Sequence, residues 1–401
     1  MSRVKRLLLN LLALCLGLAL IPLALEIGLR FLPVFSGMPV NRASTVYSFV
    51  PYTTIQRSSH WDMSNARKRQ VNNAGFISDQ AYDRAAQTPL IAIVGDSFIE
   101  AMQVDYLQTT EANLLTKCTP NARVYSFGAQ FAPLSQYLSW VQYASQTYGP
   151  KIMVVNIVGN DFDESLLSYQ LASNNGGVPG MQFFDFSTGS AELVVLPFKP
   201  EGTLTQALRH SALAQYLVRN IGIVNIANEF RAQGFRSFFQ EGKSVNISPM
   251  QESVKPADAN KEYVGNAKRS FTPDKLAMSK KGVDTFLNSL PKAARLPPQS
   301  IVLTVDAERP LIYSPLGRKD LDSYFSVMRE YLMQEAKKHG YIVLDLRPAM
   351  IANFESNRQQ FEFSDDNHWN ANGHQLLAEQ LYNVPAINRL CKNQPINTNT
   401  R

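Results

Sequence analysis

A chain of 401 residues with 45% hydrophobic and 18% charged content has a globular composition and exceeds the size of one small core, so an insertion or second small domain is expected and wholesale disorder is excluded. Its net charge of +6 arises from 39 basic and 33 acidic residues. Four of the basic residues (Arg3, Lys5, Arg6, Arg30) and one acidic residue (Glu26) lie at the amino terminus; without them 35 stand against 32, so the excess reflects that segment and no nucleic-acid partner is expected.

The chain begins "MSRVKR", followed by the nineteen residues "LLLNLLALCLGLALIPLAL", in which Asn10 is the single strongly polar side chain. That length and composition predict a membrane-spanning helix within residues 1–30. The basic residues precede the span, which would leave the amino terminus in the cytoplasm and send the rest outward. A cleaved signal peptide is the alternative, although "EIGLRFLPVF" offers no clear small-x-small site. Residues 31–89 are irregular and read as a stalk and lead-in.

From residue 90 short apolar runs alternate with amphipathic stretches. "IAIV" (91–94), "ARVYSF" (122–127) and "KIMVVNIV" (151–158) read as strands. "PLSQYLSWVQYASQTYG" between the last two reads as a helix with Pro133 in its first turn and Gly149 past its end. The pattern stops near residue 165, and 166–298 is predicted to be an insertion beside the active site, carrying Gly, Pro, Asn and Ser clusters and short helical stretches such as "TLTQALRHSALAQYLVRNIGIVNI". It resumes with a strand at "SIVLTVD" (300–306), a helix at "DLDSYFSVMREYLMQEAKKHG", a strand at "YIVLDL" (341–346) and a helix at "NANGHQLLAEQLY". Residues 90–165 and 299–391 therefore make one catalytic domain, followed by a tail at 392–401. Strands alternating with helices predict a parallel sheet with helical crossovers.

Four short stretches stand at the carboxyl ends of predicted strands or before the last helix: "GDS" at 95–97, "SFGA" at 126–129, "VGND" at 158–161 and "DDNH" at 365–368. Each alone is weak. Together and in that order they resemble the four blocks of the SGNH (GDSL-like) hydrolase superfamily, over 90–165 and 299–391. The resemblance implies a flavodoxin-like three-layer α/β/α fold. It makes Ser97 the nucleophile and Asp365 with His368 the rest of a triad, and builds the oxyanion hole from Ser97, Gly128 and Asn160. The stretch "AQFAP" after Gly128 lacks the extra glycine of many relatives.

Physical chemistry agrees with these roles. A serine hydroxyl attacks only when a base takes its proton, and an imidazole oriented by a carboxylate suits that task. The backbone N–H groups of Ser97 and Gly128 and the Asn160 amide would supply three donors to a tetrahedral oxyanion. Asp366 competes with Asp365 as the orienting carboxylate, and the three-residue spacing favours Asp365. Blander readings stand beside these: Asp96 and Ser97 as a helix cap, Asn160 and Asp161 as a turn, and His374 as a helix-face residue. A metal site at His368, His374, Asp365 and Asp366 fits no common zinc spacing, so neither metal nor cofactor is expected. His60, Trp61 and Trp369 either line a sugar-binding cleft or pack as ordinary aromatics.

Three cysteines remain. Cys15 lies in the apolar segment, whereas Cys118 ends the stretch "TTEANLLTKC" and Cys391 follows the helix that starts after His368, both helices beginning at the active-site edge of the sheet. They form a candidate disulfide if the first and last helices share a face; two unpaired thiols are the alternative. The function expected is that of an O-acyl, foremost O-acetyl, esterase or acetyltransferase working through an acyl-enzyme on cell-envelope polysaccharide. Its domain would be tethered by one span to a bacterial inner membrane, facing the periplasm or exterior. An acylated glycan is the expected substrate, and an envelope acyltransferase or polysaccharide-export protein the expected partner. A lipase or thioesterase, and a non-catalytic glycan-binding scaffold, are the alternatives.

Overall fold

The computed structural model describes residues 3–172, 177–198, 200, 202–223, 263–264, 266–319, 321–364 and 366–393. Much of the predicted insertion, most of the predicted tail and Asp365 lie outside the described residues. The chain divides into two compact units, one comprising Met1–Pro39, Thr54–Lys68 and Pro200–Glu252, the other Val40–Thr53, Arg69–Lys199 and Ser253–Arg401.

The larger unit holds a five-stranded sheet. Its core elements, in chain order, are β1 (Leu90–Gly95), α1 (Ser97–Glu100), α2 (Thr110–Cys118), β2 (Arg123–Gly128), α3 (Leu134–Tyr148), β3 (Ile152–Ile157), α4 (Asp161–Glu164), α5 (Pro273–Ala294), β4 (Ile301–Val305), α6 (Arg309–Ile312), α7 (Tyr324–Lys338), β5 (Ile342–Asp345), α8 (Leu346–Asn357), α9 (Ala371–Asn383) and α10 (Pro385–Cys391). The strands lie in the order β5-β4-β3-β1-β2 and every pairing is parallel. That is the flavodoxin-like doubly wound order, whose switch point falls between β1 and β3. Ligands in such sheets bind beyond the carboxyl ends of the strands at that point, where "GDS" and "VGND" both stand.

β1 is apolar on both sides because both sides are covered: Leu90 through Val94 are all fully buried. Ile91 and Ile93 point into a cluster with Leu114 of α2, Met350 of α8, Leu377 of α9 and Ile387 of α10. On the other side α5 packs against both α3 and α7. First and last helices thus share a face, and Cys118 and Cys391 are joined as a disulfide across 273 residues of chain. Beside it the Asn121 side chain donates to the Cys391 carbonyl at 2.8 Å.

Two assignments change. Pro273–Ala294, read from the sequence as part of the insertion, is the crossover helix between β3 and β4, with Thr272 capping its first turn and Val283, Phe286, Leu287 and Leu290 buried. Residues 166–298 are therefore not one dispensable loop. Likewise the stretches 31–39 and 54–68, read as stalk and lead-in, belong to the smaller unit with 200–252. There Asn220 ties the Phe35 N–H to the Ser58 hydroxyl, and Glu26 accepts from the Ala212 and Leu213 N–H groups. Arg3–Leu29 is one helix containing Pro22, but the side chains of 3–4, 7–9, 12–16 and 19 are outside the described part, Cys15 among them. Among the described residues no helix is long and apolar enough to cross a membrane.

Candidate active site

The end of β1 delivers Ser97. Gly95 closes the strand and Asp96 caps α1, its Oδ1 accepting from the Phe98 N–H at 3.0 Å. Cap and nucleophile are thus compatible roles: the cap fixes the turn that holds Ser97 at the first helical position. Gly128, paired with Gly95 across the sheet, lies beneath that turn. A Cβ at Gly128 would come within 2.7 Å of the Glu100 nitrogen and 2.9 Å of the Asp96 carbonyl, so backbone packing alone demands glycine there. This packing role is one the sequence reading of Gly128 as an oxyanion donor did not include.

Ser97 and His368 meet across 271 residues, the Oγ standing 2.8 Å from Nε2. The other ring nitrogen, Nδ1, stands 2.5 Å from Oδ1 of Asp366, and the same oxygen accepts from the His368 backbone N–H at 2.9 Å. These partners assign the proton to Nδ1 and leave Nε2 as the acceptor for the serine hydroxyl. Among the described residues the carboxylate on Nδ1 is that of Asp366; Asp365, the acid favoured by the three-residue spacing, lies outside them. A carboxylate two residues ahead of a histidine closes an Asx turn on its own chain and reaches the imidazole from that turn, a geometry the argument from three-residue spacing overlooked. Ser97 also lies 3.3 Å from Asp96 Oδ2, and burial pushes the Asp96 carboxyl up to about 6.

The imidazole rests on aromatic side chains. Phe98 lies 5.0 Å from the His368 ring and 5.0 Å from Trp369, which is fully buried and so forms no sugar platform. His374 is buried in α9 with Nδ1 3.0 Å from the Thr110 hydroxyl, a helix-face residue as the blander reading had it; burial pushes its imidazole down to about 3. Among the described residues no cluster could hold a metal ion.

Asn160 ends β3's loop at the position before α4, where its side chain makes no capping bond. Its Nδ2 donates to Oε2 of Glu164 at 2.9 Å, while its Oδ1 is buried without a partner. Burial and the neighbouring Asp163 charge push Glu164 up to about 8. Asp163 is paired in turn with Lys275 of α5 at 2.5 Å. The sequence reading named neither Glu164 nor Lys275; the i,i+4 spacing of Asn160 and Glu164 is the signal that could have found the first. The hairpin Gln182–Asp185 and Glu192–Val195 reaches the amino-terminal end of α3, where the Ser135 hydroxyl donates to the Gln182 carbonyl at 2.8 Å.

No family model and no curated protein matches the chain. Solved structures similar to it include a lipolytic protein of the G-D-S-L family from Veillonella parvula, at 10% identity over 74% of this chain and 98% of that one, TM-score 0.34. An acetyl xylan esterase, AlAXEase, is similar at 10% identity over 74% and 99%, TM-score 0.37. A lipase/acylhydrolase from Enterococcus faecalis is similar at 10% identity over 77% and 98%, TM-score 0.36. At these TM-scores the likenesses carry no argument, and the reading of the site rests on its own geometry.

Proposed function

We propose that this chain is a serine-dependent O-acyl esterase or acyltransferase of SGNH type. One observation carries the reading: Ser97, His368 and Asp366 stand in hydrogen-bonded series at the switch point of a parallel sheet. In the reaction Ser97 Oγ attacks the ester carbonyl as its proton passes to His368 Nε2, and Asp366 steadies the imidazolium that forms. The Ser97 N–H, at the free end of a helix, and the Asn160 amide are the groups offered to the oxyanion. Collapse expels the alcohol, which takes the proton back from Nε2, and leaves an acyl-serine. Water or a sugar hydroxyl then accepts the acyl group by the same path in reverse. No metal or cofactor is called for.

The substrate assigned is an acetylated cell-envelope glycan, met on the outer side of a bacterial inner membrane to which residues 1–30 tether the domain. Support for that compartment comes from the basic residues preceding the apolar segment and from the Cys118–Cys391 bridge, since disulfides persist where the surroundings oxidise. An envelope acyltransferase or polysaccharide-export protein is the partner that this placement suggests. Incubation with a fluorophosphonate should label Ser97 of the purified protein, and Ser97→Ala should abolish both labelling and hydrolysis of p-nitrophenyl acetate while the chain still folds. Acetylated xylan and acetylated peptidoglycan, compared as substrates, test the glycan assignment. Absence of labelling in folded wild-type protein would reject the enzyme reading in favour of a scaffold.

A further inference from the structure

We infer that Arg309 is a positioning residue for the catalytic histidine, an inference that rests on the reading of Ser97, His368 and Asp366 as the reacting set. Arg309 opens α6, just past the end of β4, and is almost wholly buried. Its Nη1 donates to the carbonyl of Asn367 at 2.5 Å. Asn367 is the single residue between Asp366 and His368, so this bond holds the peptide that leads directly into His368, one residue past Asp366. Nε donates to Asp306 Oδ2 at 2.9 Å, and Nη1 lies 3.6 Å from Glu362 Oε2. The guanidinium also sits 5.0 Å from the centroid of the Phe98 ring. Phe98 follows the nucleophile and touches the His368 ring.

One side chain therefore joins the ends of three separate segments: the nucleophile turn through Phe98, β4 through Asp306, and the loop carrying His368 through Asn367. Asp306 is itself anchored, its N–H donating to the Ile157 carbonyl at 3.0 Å and its carbonyl accepting from Arg329 Nε at 3.0 Å. Among the described residues between Glu362 and Asn370 there is no strand or helix; the loop is closed on itself by the Glu362–Trp369 bridge and by the Phe363 N–H donating to the Asp366 carbonyl at 3.1 Å, and the Arg309 bond ties it to β4 and the nucleophile turn. Arginine suits that task because its planar fork can stack on an aromatic face while donating in two directions. A rival, purely structural role would be to neutralise the buried Asp306 and Glu362 carboxylates. Lysine could do that without reaching all three segments.

The test is Arg309→Lys, which keeps the charge and removes the fork. The expected result is at least a tenfold fall in kcat and in the rate of fluorophosphonate labelling per folded molecule, with KM little changed. Phe286→Ala, a fully buried core change in α5 on the opposite face of the sheet, serves as a comparison at a temperature where both variants are folded, and should label at the wild-type rate. Equal labelling by Arg309→Lys and wild type overturns the inference, as does failure of Arg309→Lys to fold at all, which would make the residue structural. If wild type is itself unlabelled, the enzyme reading fails independently. The His368 Nδ1 proton resonance then decides: it should broaden or shift in Arg309→Lys if the peptide is held by the fork, and an unchanged resonance rejects the role.

Discussion

At the scale of single residues, the acid beside His368 separates two arguments that the sequence left in competition. Counting three residues from Asp365 to His368 follows a spacing seen in a family; the turn chemistry of Asp366, which accepts from the backbone and the imidazole of the same residue, is local and physical. Asp366→Asn should lower kcat on the order of 10⁴-fold, because an amide there favours the wrong imidazole tautomer. Asp365→Asn should leave kcat within a few-fold. Steady-state kinetics on p-nitrophenyl acetate reads both, and a larger loss for Asp365→Asn would return the role to that residue. Ser97 and His368 were legible because each sits in a recognisable short stretch at a strand end or before a helix. Arg309 was not, since its significance lies in a partner 58 residues away that no pattern at strand ends exposes, and Glu164 shows in the sequence only as the i,i+4 neighbour of Asn160.

Among the elements, the strands could be read to within a residue or so because a buried parallel strand must be apolar on both faces and helices intervene at regular lengths. The helix Pro273–Ala294 was misassigned for the opposite reason. Its start signals are present, Thr272 as cap and Pro273 in the first turn, and its buried positions 283, 286, 287 and 290 keep the helical period. They are separated from β3 by more than a hundred residues of another character, and proximity in sequence took precedence over periodicity. Leu346–Asn357 went unread because it follows β5 with no intervening loop, Asp345 serving both as strand end and as cap to the Arg347 N–H. The consequence is testable at the element scale. Deleting 166–298 removes a crossover helix whose Phe286 and Leu287 are fully buried, and the remaining chain should not fold cooperatively. Single Phe286→Ala should cost about 3 to 5 kcal/mol in a denaturant titration, the usual range for emptying a buried aromatic position. Retention of a cooperative transition by the deletion would show that the sheet closes without α5.

Across the whole molecule the disulfide and the buried ionisable groups govern stability together. A bridge spanning 273 residues restricts the unfolded chain, worth about 5 kcal/mol in the chain-entropy model, so pH measurements belong on the oxidised protein. Burial raises Asp96 to about 6, Glu111 to about 7 and Glu164 to about 8, from 3.8, 4.5 and 4.5. For each, the folded chain binds its proton more tightly than the unfolded chain, so stability is greatest below the unfolded value and declines as pH rises through the folded one. His374 acts the other way. Lowered from 6.5 to about 3, it contributes stability in full above 6.5 and loses it as pH falls. Between pH 4.5 and 6.5 the two influences oppose each other. From 6.5 to 8 the histidine contribution is complete while Glu111 and Glu164 continue to lose protons on unfolding. The melting temperature should therefore fall from pH 6.5 to 8, and it should fall again on acidification below 4.5. Glu164→Gln, which has no proton to lose, should flatten the alkaline decline when followed by calorimetry at constant ionic strength. A melting temperature that rises between pH 6.5 and 8 would mean that these carboxyls ionise in the folded chain as readily as in water, and that burial does not hold their protons.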